Sequence, residues 1–371
     1  MPHDPYKALY IHIPFCVSRC GYCDFATEAV PAGDARIDDY VESIVSEIRA
    51  KAHDGELADL ESIYIGGGTP THIGLKNLSS LLYALSLYID LGRRSVEFTV
   101  EANPESLTER MVADAWALGA NRLSIGVQSF DDGILKSLGR AHDAQTARNA
   151  IRMAKERFEN ISIDLMCGIP GQTDEMLAAS IEEAIALGIP HVSVYALSIE
   201  PHTPFHRALM EGRIIMPDED SQADHLELAR DLLQSAGLKR YEVSNYAKPG
   251  FESRHNSAYW QGIPYLGLGV GATTMTQNSE RRMRVCNGQV TDDLDARQMA
   301  AEDLMLGMRM AQGVSDEAVE RAAALLPDVY ATLDTLADDG LIEHTQAHWC
   351  PTERGWLCGN DLYGRLLDLA P

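Results

Sequence analysis

Between residues 8 and 201 the chain alternates short runs rich in Ile, Val, Leu and Tyr with runs whose apolar residues recur at intervals of three and four, and nothing else in it constrains the fold as strongly. The first kind, at 8–13, 62–66, 95–101, 122–127, 160–166 and 191–197, reads as strands; the second, at 39–48, 78–87, 108–118, 145–157 and 174–187, reads as helices. A helical crossover between successive strands returns the chain to the same end of the sheet, so the strands run parallel. The expected fold class is α/β, a partial (β/α)6 barrel of TIM type. A doubly wound open sheet has the same periodicity and stands as the alternative.

Past residue 201 the alternation decays. A helix is expected at 221–236, a short strand at 240–245 and a glycine- and aromatic-rich loop at 249–276; helices at 300–310, 316–325 and 329–338 precede a short hairpin. This divides the chain into a barrel (1–201), an extension expected to cover the barrel mouth (202–296) and a small winged-helix-like domain (297–371).

Polar residues gather just after the strands, where parallel barrels build their sites. Cys16, Cys20 and Cys23 follow the first strand in one turn-rich loop. Three soft sulfur ligands suit a 4Fe–4S cluster with one iron left for a ligand that is not protein. A zinc site stands against this, but structural zinc takes four closed ligands and no second cysteine pair exists. His12, in the strand, reads as a core histidine or a neighbour of the cluster. Gly66-Gly67-Gly68-Thr69-Pro70 follows the second strand and lets backbone approach a ligand closely. Glu101, Gln128, Arg140 and Asp164 lie at or near the ends of later strands and could bind an ammonium, ribose hydroxyls, an adenine edge and a carboxylate. Cys167, Cys286, Cys350 and Cys358 are scattered and read as ordinary small buried or half-buried residues.

Charge narrows the partners. With 55 acidic against 31 basic side chains the net charge is −24, which opposes nucleic acid and anionic membrane surfaces. No apolar run approaches a membrane span, and residues 1–7 lack the features of a secretory leader, so the expected address is the cytoplasm.

Taken together, Cys16-x-x-x-Cys20-x-x-Cys23, 66–70, Glu101-Ala-Asn-Pro, 124–130, 138–142 and 164–170 resemble the radical S-adenosylmethionine proteins of the oxygen-independent coproporphyrinogen III oxidase family. The resemblance spans the chain. It implies a 4Fe–4S cluster on Cys16, Cys20 and Cys23, and S-adenosylmethionine held by Tyr10, Phe25, Gly67, Gly68, Thr69, Glu101, Gln128, Arg140, Asp164 and Ala196. The oxidases carry a fourth cysteine two residues after the third, where this chain has Phe25. Its His255-Asn-Ser-Ala-Tyr-Trp260 is instead similar to the His-Asn-x-x-Tyr-Trp motif of the haem-chaperone branch. That branch implies haem as cargo, His255 as a haem contact, and haem-accepting respiratory proteins as partners. The oxidase branch implies an enzyme that cleaves S-adenosylmethionine to a 5′-deoxyadenosyl radical, with flavodoxin or ferredoxin as electron donor. Thr273 stands where the family usually has a histidine.

Overall fold

The structure, a computed structural model, describes residues 3–90 and 96–371. Six parallel strands carry it: β1 (Ala8–Ile13), β2 (Ser62–Gly67), β3 (Glu97–Ala102), β4 (Arg122–Gln128), β5 (Asn160–Cys167) and β6 (His191–Ala196). Ser95, the expected start of the third strand, lies outside the described residues, as do residues 1 and 2 of the N-terminal segment. The helices between the strands are α1 (Ala35–His53), α2 (Leu75–Tyr88), α3 (Glu109–Ala117), α4 (Asp132–Leu138), α5 (Ala144–Lys155) and α6 (Asp174–Ala186). Five begin at residues whose side-chain oxygens accept an N–H of the first turn: Asp34, Thr108, Asp131, Asp143 and Thr173.

The strand order decides between the two architectures. β1 to β6 lie side by side in chain order without reversal, whereas a doubly wound sheet reverses direction at a switch point. The sheet is a partial barrel.

Strand parity sorts the residues into two faces. Leu9, Ile11, Ile63, Ile65, Phe98, Val100, Leu123, Ile125, Ile161, Ile163, Val192 and Val194 face the helices and form the main core. The alternate positions, Tyr10, His12, Ser62, Tyr64, Glu97, Thr99, Glu101, Arg122, Ser124, Ser162, Asp164, His191 and Ser193, face inward. TIM barrels fill their interior with branched apolar side chains; this lumen is lined with hydrogen-bonding groups.

The extension does more than lie over the mouth. α7 (Pro204–Met210) packs there, and α8 (Glu219–Ser235) packs outside against α6. β7 (Asn245–Ala247) pairs antiparallel with β6. α9 (Arg254–Trp260) sits at the opposite end, against the beginnings of β2 and β3. β8 (Tyr265–Leu268) runs parallel to β1, and β9 (Thr273–Gln277), β10 (Arg281–Cys286) and β11 (Gln289–Asp295) continue the sheet as an antiparallel meander. The expected loop at 249–276 is therefore largely ordered as helix and strand; these elements are short, and tight glycine turns between them hide their periodicity. The last part of the chain has its own core, around Leu304, Val319, Leu333 and Leu362. It combines helices Ala296–Gly307, Asp316–Ala323, Val329–Asp338 and Gly359–Leu367 with a three-stranded antiparallel sheet. Among the described residues no helix is long and apolar enough to cross a membrane.

Candidate cofactor site

The loop after β1 folds back over the strand ends. Gly68 N–H donates to Ile13 O at 2.7 Å and Thr69 N–H to Phe15 O at 2.9 Å, which ties the loop to the end of β2. From the other side, Gly21 N–H donates to Leu138 O and Phe205 N–H to Gly21 O, so α4 and α7 clamp the same loop. A Cβ at Gly21 would lie 2.4 Å from the Phe205 ring, so the clamp requires glycine there.

Cys16, Cys20 and Cys23 line one pocket with Phe25, Gly67, Gly68, Thr69, Glu101, Asn103, Gln128, Arg140 and Asp164. The structure thus brings together eleven of the fourteen residues expected from the sequence. Among the described residues no three His, Cys, Asp or Glu side chains form a group that could hold a single metal ion. In a cubic cluster each thiolate binds a different iron, and the three cysteines share the one pocket such a cluster would occupy. Each sulfur also has a polar partner. Thr69 Oγ1 donates to Cys16 Sγ at 3.5 Å, Arg140 Nη1 donates to Cys20 Sγ at 3.4 Å, and Thr27 Oγ1 lies 3.8 Å from Cys23 Sγ. Burial pushes the Cys16 thiol up, a cost that cationic iron offsets. The donor set fits the cluster.

One side chain joins two of these supports. Asn103 Nδ2 donates to Thr69 Oγ1 at 2.9 Å, and Arg140 Nη2 donates to Asn103 Oδ1 at 2.8 Å. The path Cys16–Thr69–Asn103–Arg140–Cys20 draws on the ends of four different elements. Arg140 also donates to Gly126 O at 2.8 Å, and a Cβ at Gly126 would lie 2.8 Å from Asn103 Oδ1. Asn103 escaped sequence reasoning as a site residue; its only signal was its place in Glu101-Ala-Asn-Pro.

Gly67 and Gly68 of the glycine run line the pocket, and the run is also closely packed by protein atoms. A Cβ on Gly68 would lie 2.8 to 3.0 Å from Phe15 O, Ile13 O and Cys16 Sγ; one on Gly66 would lie 2.8 Å from Glu101 Oε2 and Tyr64 Cε1. Gly67 has φ +110°, and a Cβ there would lie 2.5 Å from the His12 ring. All three glycines admit protein atoms, and this is what brings the cysteine loop down onto β2. His12 supports that loop from below: its Nε2 reaches Ala26 O at 3.0 Å and its Nδ1 the Tyr10 hydroxyl at 2.9 Å.

Glu101 is held on both oxygens, by the Tyr64 hydroxyl at 2.6 Å and by Gly67 N–H at 3.1 Å. Burial raises its carboxyl to about 7 against these bonds, and Asp164 adds to the rise. Burial raises Asp164 as well, with Ser193 and the Arg122 and Arg140 charges opposing it. Gln128 ends β4 at a register shift and adopts φ +66°, a strained conformation for a side chain with a Cβ, and strain of this kind gathers at binding sites.

Three expected residues lie outside the pocket wall. Tyr10 is one layer below, on His12 and 6.3 Å from the Tyr64 ring. Ala196 shares the helix-facing side of β6 with Val192 and Val194 and packs on the main core, because strand parity turns it away from the lumen. His255 is 1% exposed at the far end of the lumen. Its Nδ1 lies 2.9 Å from Ser62 Oγ, and its buried Nε2 has no hydrogen-bond partner among the described residues. Burial lowers it to about 3, so the ring is neutral.

Comparison with known proteins bears on the whole chain. Residues 10–184 match the radical SAM superfamily and residues 294–358 the HemN C-terminal domain. The chain is 35% identical to the haem chaperone HemW of Bacillus subtilis, over 97% of this chain and 99% of that protein. It is 34% identical to HemW of Escherichia coli, over 96% and 97%. The coproporphyrinogen III oxidase HemN of Escherichia coli, described as a radical SAM enzyme, shares the fold with a TM-score of 0.79 at 22% identity, covering 98% of this chain and 90% of that one.

Proposed function

The chain belongs to the HemW family of radical S-adenosylmethionine proteins, and on that premise we propose that it binds haem and passes it to haem-dependent proteins of respiration. The observation that carries this reading is the end-to-end match to relatives named haem chaperones, whereas the likeness to the oxidase is one of fold. Phe25 supports it. The residue at the oxidases' fourth-cysteine position is here an aromatic ring, 68% exposed. With Phe15, Tyr40 and Val270 it lines an open apolar groove on the outer flank of the cysteine loop, the surface this reading assigns to a planar, largely apolar cargo.

In the pocket, Cys16, Cys20 and Cys23 would hold a 4Fe–4S cluster, with S-adenosylmethionine on the remaining iron. When bound and reduced, the cluster supplies the electron that breaks the sulfonium carbon–sulfur bond. The protein's own groups bind and orient. Glu101 and Asp164 offer acceptors to an ammonium or to ribose hydroxyls. Gln128 offers a donor and an acceptor to the adenine edge. Arg140 holds Cys20 and adds positive charge near a carboxylate. A second reading, an oxidase-like enzyme acting on a tetrapyrrole or another substrate with a flavodoxin or ferredoxin as electron donor, is favoured by the completeness of this pocket.

Titration of the anaerobically reconstituted protein with haem, beside an assay for 5′-deoxyadenosine with coproporphyrinogen III, separates the two. Tight haem binding without decarboxylation is the expected result. Decarboxylation at enzymatic turnover would establish the oxidase instead. Val270→Asp should weaken haem binding while leaving the cluster spectrum unchanged.

A further inference from the structure

The residue that most resembles a haem ligand, His255, is buried in the floor of the barrel, and its contacts lead to the cofactor pocket. The Glu97 carboxylate, 4% exposed at the start of β3, accepts the N–H groups of Arg254 and His255, each at 2.9 Å. This fixes the first turn of α9 in the floor of the barrel. The His255 ring is then held on three sides: Ser62 Oγ at Nδ1, the Tyr64 ring stacked on one face with centroids 5.1 Å apart and planes at 26°, and the Tyr259 ring edge-on at 5.2 Å.

Ser62, Tyr64 and Gly66 are successive inward positions of β2. Two residues of strand advance about 7 Å, so the stretch from Ser62 to Gly66 spans from floor to pocket. The Tyr64 hydroxyl, held protonated by burial, donates to Glu101 Oε1, and Gly66 leaves the space that this contact occupies. A phenol ring can swing about two side-chain torsions. Stacking against an immobilised imidazole removes that freedom and keeps its hydroxyl on the carboxylate.

We propose that His255 is a positioning residue for the S-adenosylmethionine pocket: by stacking on Tyr64 it holds the Tyr64 hydroxyl on Glu101, and it does not ligate haem. This rests on the pocket assignment made above. The motif that marks the chaperone branch then serves the floor of the cofactor site.

The test measures S-adenosylmethionine affinity of the anaerobically reconstituted protein by equilibrium dialysis, with a haem titration of each variant in parallel. His255→Phe keeps a ring on Tyr64 and should bind S-adenosylmethionine as the wild type does. His255→Asn keeps a polar reach to Ser62 but lacks the ring, and should bind about tenfold more weakly, as should Tyr64→Phe, which loses one hydrogen bond to a carboxylate. Combining His255→Asn with Tyr64→Phe should add little to either alone, because both remove the same contact. Haem affinity should be unchanged in all of them. Equal S-adenosylmethionine affinity in every variant overturns the positioning role, and so does loss of haem binding by both His255→Phe and His255→Asn. Absence of binding by the wild type overturns the pocket assignment along with it.

Discussion

Replacing Asn103 by alanine should loosen two cluster cysteines at once. The substitution removes the bond to Thr69 Oγ1 at 2.9 Å and the bond from Arg140 Nη2 at 2.8 Å. A neutral hydrogen bond contributes about 1 kcal/mol and one to a charged group about 1.5–3 kcal/mol, so the loss is roughly 2–4 kcal/mol. The charged half dominates because the buried Arg140 Nε has no hydrogen-bond partner among the described residues, where the guanidinium would keep Gly126 O and Cys20 Sγ alone. For a unit of this size that corresponds to roughly 5–15 °C in melting temperature. The assay is thermal melting of the reconstituted protein, together with the rate at which a chelator bleaches the iron–sulfur absorbance. Asn103→Ala should melt lower and bleach faster. Asn103→Asp keeps an acceptor for Arg140 and loses only the donor to Thr69, so it should recover most of the difference. If Asn103→Ala melts within about 1 °C of the wild type and bleaches at the same rate, the hydrogen-bonded path between Cys16 and Cys20 does not hold the site together.

The remaining predictions concern the lumen and its two ends. Glu101 titrates near 7 in the folded protein against 4.5 unfolded, so the unfolded state loses its proton first as pH rises. The stability tied to this carboxyl is present in full below about 4.5 and declines up to about 7, by at most about 3 kcal/mol. Melting temperature measured between pH 5 and 8 should fall more steeply for the wild type than for Glu101→Gln; parallel slopes would contradict the assignment. Gly68→Ala places a methyl 2.8 Å from Phe15 O and 2.9 Å from Ile13 O, backbone atoms that cannot swing away, and should cost about 1–3 kcal/mol in a urea titration with reduced iron content after reconstitution. Glu97→Ala leaves the first turn of α9 without its acceptor in the floor and should lower the urea midpoint by the equivalent of about 2–4 kcal/mol; an unchanged midpoint would show that the floor is held by other contacts.

Much of this was legible before any coordinates, for local reasons. Runs rich in Ile, Val, Leu and Tyr, set against runs with apolar residues at intervals of three and four, placed the six strands. Cys16, Cys20 and Cys23 lie within eight residues of one another, so their sharing of a loop required no tertiary argument. Strand ends are points of a parallel barrel known in advance, which is why Glu101, Gln128 and Asp164 could be placed on one pocket from sequence; Arg140 joins them from the end of α4. Which face the Ala196 side chain takes was not legible, because a strand end has two faces and the register with β5 fixes which one it takes.

The amino-acid sequence by itself determined the class of fold, the cysteine loop and the set of strand-end residues, since each depends on spacing along the chain. The tertiary structure alone decided that Asn103 links two cysteine supports, that the glycine run is packed by protein atoms, and that His255 sits under the site. Those facts depend on contacts between distant segments: Asn103 with Arg140 across 37 residues, and Ser62 with His255 across 193. Contacts at such separations leave no local period, because they are fixed by how the sheet curls and where a late helix plugs its floor.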